Sequence, residues 1–209
     1  MIRLIVATSL VLVAVPIYAT TYTLDPDHTQ GVFRWNHLGF SSPAAQFSQG
    51  EGTLEFDQAD PTRSSVRVTI PLTSMSTGVA GLDENFQSSD FFDYAKFPAA
   101  TFKSSQVQKG ATHAPLKVDG ELSLHGITKS VALDVTINKV GINPRNHVPT
   151  VGFEAMATLK RSDFGLGLFV PQVSDEVQVH ITAEAAEKSA YEQYLKAQAA
   201  REAAEKSKQ

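Results

Sequence analysis

The chain contains no cysteine among its 209 residues. It can therefore form no disulfide, offer no thiolate to a metal and use no thiol as a nucleophile. A lipoprotein leader is also excluded, because the first residue of a mature lipoprotein is a lipidated cysteine. The stability of the fold must come from its core, and a chain of this length is long enough to bury one.

Charged residues are sparse, at 19% of the chain, and the formal net charge is only -4. No run of lysine or arginine is interleaved with aromatic residues, as it is in proteins that bind the phosphate backbone. We therefore expect no nucleic-acid partner. A hydrophobic fraction of 42% is typical of an ordinary globular protein.

Sequence patterns that carry catalysis or metal binding are also missing. The chain lacks H-x-H, H-E-x-x-H and G-x-S-x-G. Gly165 and Gly167 form no nucleotide-binding fingerprint, because no strand-to-helix crossover surrounds them. We expect no enzymatic activity, no cofactor and no metal site from the six histidines, which are His28, His37, His113, His125, His147 and His180.

The first 19 residues have the layout of a secretory signal peptide. Arg3 precedes an apolar run from Leu4 to Val15, and Ala19 supplies a small residue at which cleavage is expected. The alternative is a retained membrane anchor, but the apolar run is shorter than the roughly 20 residues that span a bilayer. Residues 1–19 are thus predicted to be removed on export.

Apolar and polar residues alternate from Thr21 to Thr182, which is typical of half-buried strands. Turn-forming pairs such as Asp60-Pro61 and Asn143-Pro144 separate about eight such segments. The pattern predicts an all-β domain over residues 20–184, an antiparallel barrel of eight strands. Inward positions include Leu54, Phe56, Val66, Val68, Ile70, Leu116, Val118, Leu122, Leu124, Val131, Leu133, Val135, Ile137, Val151, Phe153, Ala155, Ala157, Leu159, Val177, Val179 and Ile181.

Two segments are predicted to be helical. One is a short internal helix between Gly78 and Ser89. The other is a C-terminal tail, residues 185–209, rich in alanine and charge, with Glu192–Lys196 and Glu202–Lys206 at helical spacing. This tail is either a solvated helix or a helix that binds a partner.

Aromatic residues are concentrated between Asn85 and Phe102, and an eight-stranded barrel is just wide enough either to be filled by side chains or to hold one small ligand. Gly120, Ala155 and Ala157 are small residues at inward positions, which favours space for a ligand. The clustered rings could form the wall or mouth of such a cavity. The six rings are Phe86, Phe91, Phe92, Tyr94, Phe97 and Phe102.

Five motifs, in this order and spacing, resemble the YceI-like family. They are Asp25-Pro26-Asp27-His28 with Phe33 and His37, then residues 89–93 with 96–98 and 101–102, then 120–129, 161–165 and 174–177. The resemblance covers nearly all of residues 20–184. Asn85 departs from it, since a histidine is common there, and so does Ala45, where glycine is common.

The resemblance implies a periplasmic, lipocalin-like barrel that binds a long-chain lipid such as a polyprenol or an isoprenoid quinone, with fatty acids and fatty amides still open. Transient membrane contact and a homodimer are compatible with it. The competing hypotheses are a filled barrel acting as a structural or stress-associated interaction module, and an enzyme acting on lipid. Head-group candidates are His28, His37 and Asn85, and the predicted ligand-binding set is Phe33, Trp35, His37, Asn85, Phe86, Phe91, Phe92, Phe102, Leu124, Phe153 and Phe164.

Two further motifs have structural interpretations. Residues 126–129 predict a tight hairpin, in which Gly126 adopts the unusual backbone angles. Arg161 is expected to form an ion pair with Asp163 or Asp175 at the barrel rim.

Overall fold

Ten β-strands and two α-helices make up most of the computed structural model, which describes residues 19–111 and 114–207. The predicted leader, apart from Ala19, lies outside the described residues. The helices are α1 (Ala80–Gln87) and α2 (Lys188–Lys206). The strands are β1 (Thr20–Leu24), β2 (Gln30–Arg34), β3 (Ala44–Phe47), β4 (Glu51–Phe56), β5 (Ser65–Pro71), β6 (Ala99–Gln108), β7 (Leu116–Leu124), β8 (Ile127–Ile142), β9 (Pro149–Lys160) and β10 (Glu176–Glu187).

Eight of these strands close into a barrel, as the alternating pattern predicts. The order is β1-β4-β5-β6-β7-β8-β9-β10, and β10 returns to β1 through the pairs Tyr22–Glu187 to Leu24–Ala185. Every neighbouring pair is antiparallel. The predicted eight-stranded, lipocalin-like fold is therefore confirmed.

The remaining two strands lengthen the wall at one end. A short 3-10 helix, Pro26–His28, interrupts the chain between β1 and β2. Strand β2 then pairs with β10 further along its edge, with Phe33 opposite Val179, and β3 adds to β2. On the other side of β3 from β2, the backbones of Gln46 and Ser76 form two hydrogen bonds, of 2.8 and 2.9 Å. The segment after β5 thus covers this edge.

The turn between β7 and β8 is shorter than the sequence indicates. It consists of His125 and Gly126, whose φ angles of 52° and 74° are those of a two-residue type I′ turn. The role of Gly126 is confirmed, while β8 already begins at Ile127. A Cβ at position 126 would lie 2.6 Å from the ring of Phe97, so glycine is required by packing as well as by φ.

Helix α1 and the segment after it close the barrel end that holds the aromatic residues. The Asp83 carboxylate accepts hydrogen bonds from the backbone N–H and the hydroxyl of Thr77, which orients the start of the helix and lowers the pKa of Asp83. After the helix, the Phe92 N–H donates to the carbonyl of Phe86 at 3.0 Å. This bond turns Phe92 back under α1 and towards the barrel interior.

A buried carboxylate organises the opposite end, where β4 leads into β5. Asp57 accepts from the backbone N–H groups of Ala59 and Asp60, at 3.0 and 2.9 Å, and from the guanidinium of Arg63. These bonds favour the ionised form and lower the pKa of Asp57. They hold the following turn, including Pro61, over this end of the barrel.

The predicted boundary between barrel and tail at residue 184 is too early. Strand β10 runs to Glu187, because Ala185 and Ala186 are buried and pair with β1 and β9. The Glu187 carboxylate then accepts from the N–H groups of Ser189 and Ala190 and caps α2. None of the residues of α2, all described, is buried, and Tyr191 and Tyr194 stack on each other at 6.4 Å.

Candidate functional site: an apolar cavity along the barrel

A cavity of about 310 Å³ lies inside the barrel. Strand register shows that it runs the length of the sheet, from Pro61, Ser64 and Val107 at one end to Phe164 and Leu166 at the other. Its volume is at the lower end of the roughly 300–1,000 Å³ typical of small-molecule sites. The barrel interior is therefore not completely filled by its own side chains.

The cavity wall is made almost wholly of apolar side chains. Most of the inward positions predicted from alternation, from Leu54 on β4 to Ile181 on β10, line it, whereas Val151 is buried outside it. Ala155 and Ala157 belong to this lining, so their small side chains do leave space. Gly120 does not, because a Cβ there would lie 2.4 Å from the Phe102 ring, which covers that position.

Three phenylalanine rings form the wall near α1. Phe33 stacks on Phe47 with ring centroids 5.2 Å apart, and Phe92 meets the two rings edge-on at 6.5 and 6.4 Å. Phe47 was not predicted to line the cavity. It lies on the same face of β3 as the buried Ala45, so the alternation of this strand could have identified it. This arrangement gives one part of the cavity a continuous aromatic surface.

The predicted ligand-binding residues divide into a cavity group and a supporting group. Trp35, Phe86 and Phe91 do not line the cavity. They pack behind Phe92 and Phe33, with Phe86 at 5.5 Å from Trp35 and 5.3 Å from Phe91. The members that line the cavity are Phe33, Phe92, Phe102, Leu124, Phe153 and Phe164.

The three polar head-group candidates lie on the outside of the barrel. His37 is exposed because β2 ends at Arg34, and the alternation that would point it inwards ends with the strand. Asn85 is exposed on α1, one residue before the buried Phe86. The exposed His28 ring pairs with the Asp25 carboxylate at 2.9 Å, and this hydrogen bond raises its pKa.

Thr29 is a cavity residue that sequence reasoning missed. It lies in the break between β1 and β2, is 7% exposed, and lines the cavity beside Gly50. Its hydroxyl oxygen is buried and makes no hydrogen bond within the described chain. Unpartnered buried hydroxyls are uncommon in proteins, because leaving one unsatisfied costs about 1–3 kcal/mol. A threonine outside any alternating segment gave no signal in the sequence.

Arg161 lies where the cavity meets the barrel rim, but it does not form the predicted ion pair there. Its guanidinium donates to the backbone carbonyls of Leu166, Leu168, Val173 and Ser174. Burial lowers its pKa. The Asp175 carboxylate instead accepts from the N–H and the hydroxyl of Ser162, at 2.9 and 2.8 Å. Arg161 thus fixes the backbone of the loop between β9 and β10.

Within residues 19–111 and 114–207, no group of three histidine and acidic side chains could hold a metal ion. His113 lies outside the described residues. The His125 ring forms a hydrogen bond of 3.0 Å with the carbonyl of Phe164, so His125 has a structural role in joining the β7–β8 turn to the segment after β9. No described helix is long and apolar enough to cross a membrane.

The sequence matches the model of the YceI-like domain over residues 22–185. It is 36% identical over 168 residues to Protein YceI of Escherichia coli O157:H7, a match that covers 79% of this chain and 86% of that protein. It is similarly 34% identical to a UPF0312 protein of Pseudomonas aeruginosa, with the same coverage of both chains.

Solved structures share the fold. A Campylobacter jejuni YceI protein superposes with a TM-score of 0.64 at 28% identity, covering 73% of this chain and 90% of that one. Burkholderia cenocepacia BcnA gives a TM-score of 0.69 at 24% identity, with 77% and 98% covered. A polyisoprenoid-binding domain from Saccharophagus degradans gives 0.61 at 15% identity, with 81% and 99% covered.

Proposed function

The chain belongs to the YceI-like family, and from this premise we propose that it is a periplasmic carrier of a long-chain isoprenoid or a related lipid. The family match, with the similarity to a polyisoprenoid-binding domain, indicates a binding protein and not an enzyme. The observation that carries the proposal is the apolar cavity along the barrel axis. The predicted leader supports export.

Burial of the lipid tail supplies the driving force for binding. Transfer of each CH₂ group from water into an apolar site contributes about 0.8 kcal/mol, from which the ordering of a flexible tail is subtracted. Since the aliphatic and aromatic lining offers few polar atoms, it recognises the tail by length and shape. Chain-length selectivity therefore depends on the depth of the cavity.

Thr29 is our candidate for the polar contact with the ligand. A single neutral hydroxyl suits a carbonyl, a hydroxyl or an amide, whereas an ionised carboxylate would need a compensating charge when buried. The guanidinium of Arg161 also lines the cavity, but it already donates to four backbone carbonyls. A neutral oxygen-bearing lipid, such as an isoprenoid quinone or a polyprenol, fits this site better than a fatty acid anion.

Protein purified from its own periplasm is expected to carry lipid. Native mass spectrometry should show an added mass, and solvent extraction should release a molecule with a long apolar chain and a neutral oxygen. A chain prepared by denaturation and refolding without lipid serves as the control. Protein that carries no extractable lipid, and takes up none when polyprenol or quinone is supplied, contradicts the proposal and favours the filled-barrel module.

Substitution of Thr29 by Val should weaken ligand binding while leaving the lipid-free barrel as stable or more stable. Valine has nearly the same shape and removes the unsatisfied hydroxyl. We expect roughly a tenfold higher Kd for a quinone or polyprenol, since one buried hydrogen bond contributes about 1 kcal/mol or more. Fluorescence titration and thermal unfolding provide the two measurements.

The exposed Thr69 on β5 is the matched control, because Thr69→Val makes the same chemical change on the outer face of the barrel. It should leave the Kd unchanged. If Thr29→Val binds the ligand as tightly as the parent protein, Thr29 is not the polar contact.

A further inference from the structure

Four large apolar side chains are exposed on two loops at the barrel end that holds the aromatic residues. They are Leu38 and Phe40 on the loop between β2 and β3, and Leu168 and Phe169 on the loop between β9 and β10. Phe40 is 91% exposed and Phe169 58%. We call these four residues the apolar tip.

Hydrogen bonds join the two loops into one unit. The Leu38 N–H donates to the carbonyl of Gln172 at 3.2 Å, and the N–H of Ser174 donates to the carbonyl of Asn36 at 3.0 Å. Arg161 donates to the carbonyl of Leu168 from beneath, at 2.8 Å. The tip is therefore held by the barrel and does not depend on its apolar side chains for its shape.

Two of the four tip residues are held in a strained backbone conformation. Leu38 and Phe169 have φ angles of 57° and 66°, in the left-handed region that bulky residues rarely adopt. Glycine or asparagine would adopt these angles at lower cost. Strain of this kind persists where the surrounding structure imposes it, and it is concentrated at functional sites.

The outer parts of the two loops, residues 36–43 and 165–173, carry no lysine, arginine, aspartate or glutamate, although 19% of the chain is charged. The charged residues of the longer loop, Arg161, Asp163 and Asp175, lie outside these stretches. Residues 36–43 and 165–173 contain one titratable side chain, that of His37. An uncharged apolar surface can enter the interfacial region of a bilayer without burying an ion. It also gains nothing from counterion effects, so its binding should resist salt.

One segment connects the tip with the cavity. Along residues 164–169, Phe164 and Leu166 line the cavity, whereas Leu168 and Phe169 are exposed. The same few residues thus present an apolar surface first to the interior and then to the outside. A lipid leaving a bilayer that contacts Phe169 would be within one loop of the barrel interior.

We propose that the apolar tip docks on the surface of a lipid bilayer, so that lipid passes between the membrane and the cavity at this end of the barrel. The proposal rests on the proposed lipid-carrier function and identifies the surface at which loading occurs. The partner is the bilayer itself, recognised by insertion of the tip and not by charge.

The test is flotation of the purified protein with vesicles of phosphatidylethanolamine and phosphatidylglycerol, and with vesicles of phosphatidylcholine alone. Both should bind the parent protein, at low and at high salt. In the double variant Phe40→Ser with Phe169→Asn, we expect partitioning to fall about a hundredfold, since each buried ring contributes about tenfold. Asparagine is chosen at position 169 because it tolerates positive φ.

The matched control is the double variant Ile142→Ser with Met156→Ser. Ile142 is 58% exposed, as Phe169 is, and Met156 is 60% exposed, but neither lies on the tip. This control should float like the parent protein. All variants are compared by thermal unfolding and by their content of extractable lipid, which reports on the cavity separately from docking.

Three outcomes would overturn the proposal. The first is that the parent protein does not float, and the second is that the tip variant floats normally. The third is release of the protein by high salt, which would indicate attraction by charge. If light scattering finds a dimer that the tip substitutions dissociate, and flotation is unchanged, the tip is an interface between copies of the chain. An empty cavity together with tip-dependent flotation would refute the carrier function but leave docking intact.

Discussion

Substitution of Ala155 by Phe is expected to abolish lipid binding without unfolding the barrel. Ala155 lies on β9 opposite Val135 and Ile181, and its small side chain lines the cavity. A phenylalanine ring would occupy space needed for the tail within a volume of about 310 Å³. Overpacking a filled core costs about 1–3 kcal/mol, and entry into an existing cavity costs less. Native mass spectrometry and thermal unfolding measure the two effects.

The neighbouring residue on the same strand supplies the control for this experiment. Met156 points outwards and is 60% exposed, so Met156→Phe adds a ring to the outer face of β9. This variant should retain its bound lipid. A folded Ala155→Phe protein with a full complement of lipid would show that the ligand does not lie inside the barrel.

Most of the barrel could be predicted from the sequence because side chains of a strand alternate between its two faces. This geometry requires nothing from distant residues, so Val66, Val68 and Ile70 could be assigned to the interior from β5 alone. The turn at Gly126 could be predicted for a similar reason, since the positive φ of a tight hairpin turn is a local requirement. About eight strands with one apolar face each favour a sheet that curls on itself, and the pairing of β10 with β1 closes it.

The polar part of the site could not be predicted, because it lies where strands end. An inward-facing His37 would require the alternation of Phe33 and Trp35 to continue beyond Arg34, the last residue of β2, but His37 is exposed. Thr29 lies in the break before that strand, where no period applies. It lies beside Gly50, which precedes β4, and this contact between residues 21 positions apart cannot be read from a local pattern.

Space inside the barrel was predicted only in part, because it depends on where long side chains turn. A glycine at an inward position suggests a void, but at Gly120 the ring of Phe102 on the adjacent strand fills the space. Ala155 and Ala157, in contrast, line the cavity. The rotamers that decide between these outcomes are set by tertiary packing.

Substitution of Phe92 by Ala is expected to have the largest effect on stability. The ring is 8% exposed and packs among Phe33, Phe47, Phe86 and Tyr94, with centroids 5.8 to 6.5 Å away. Removal of such a ring costs about 3–5 kcal/mol in the free energy of unfolding. Denaturant unfolding of lipid-free protein measures this loss, which is expected whether the ring serves only the core or also contacts a ligand.

The two roles of Phe92 separate when lipid is added. A bound ligand stabilises the folded state by an amount that depends on its affinity, so the difference in Tm between loaded and lipid-free protein reports the contact. This difference should shrink in Phe92→Ala, because Phe92 lines the cavity. In Phe91→Ala it should not change, since Phe91 packs against Phe86 behind the wall. Equal differences in both variants would assign Phe92 to the core alone, and contact of the aromatic wall with the lipid would then be left to Phe33 and Phe47.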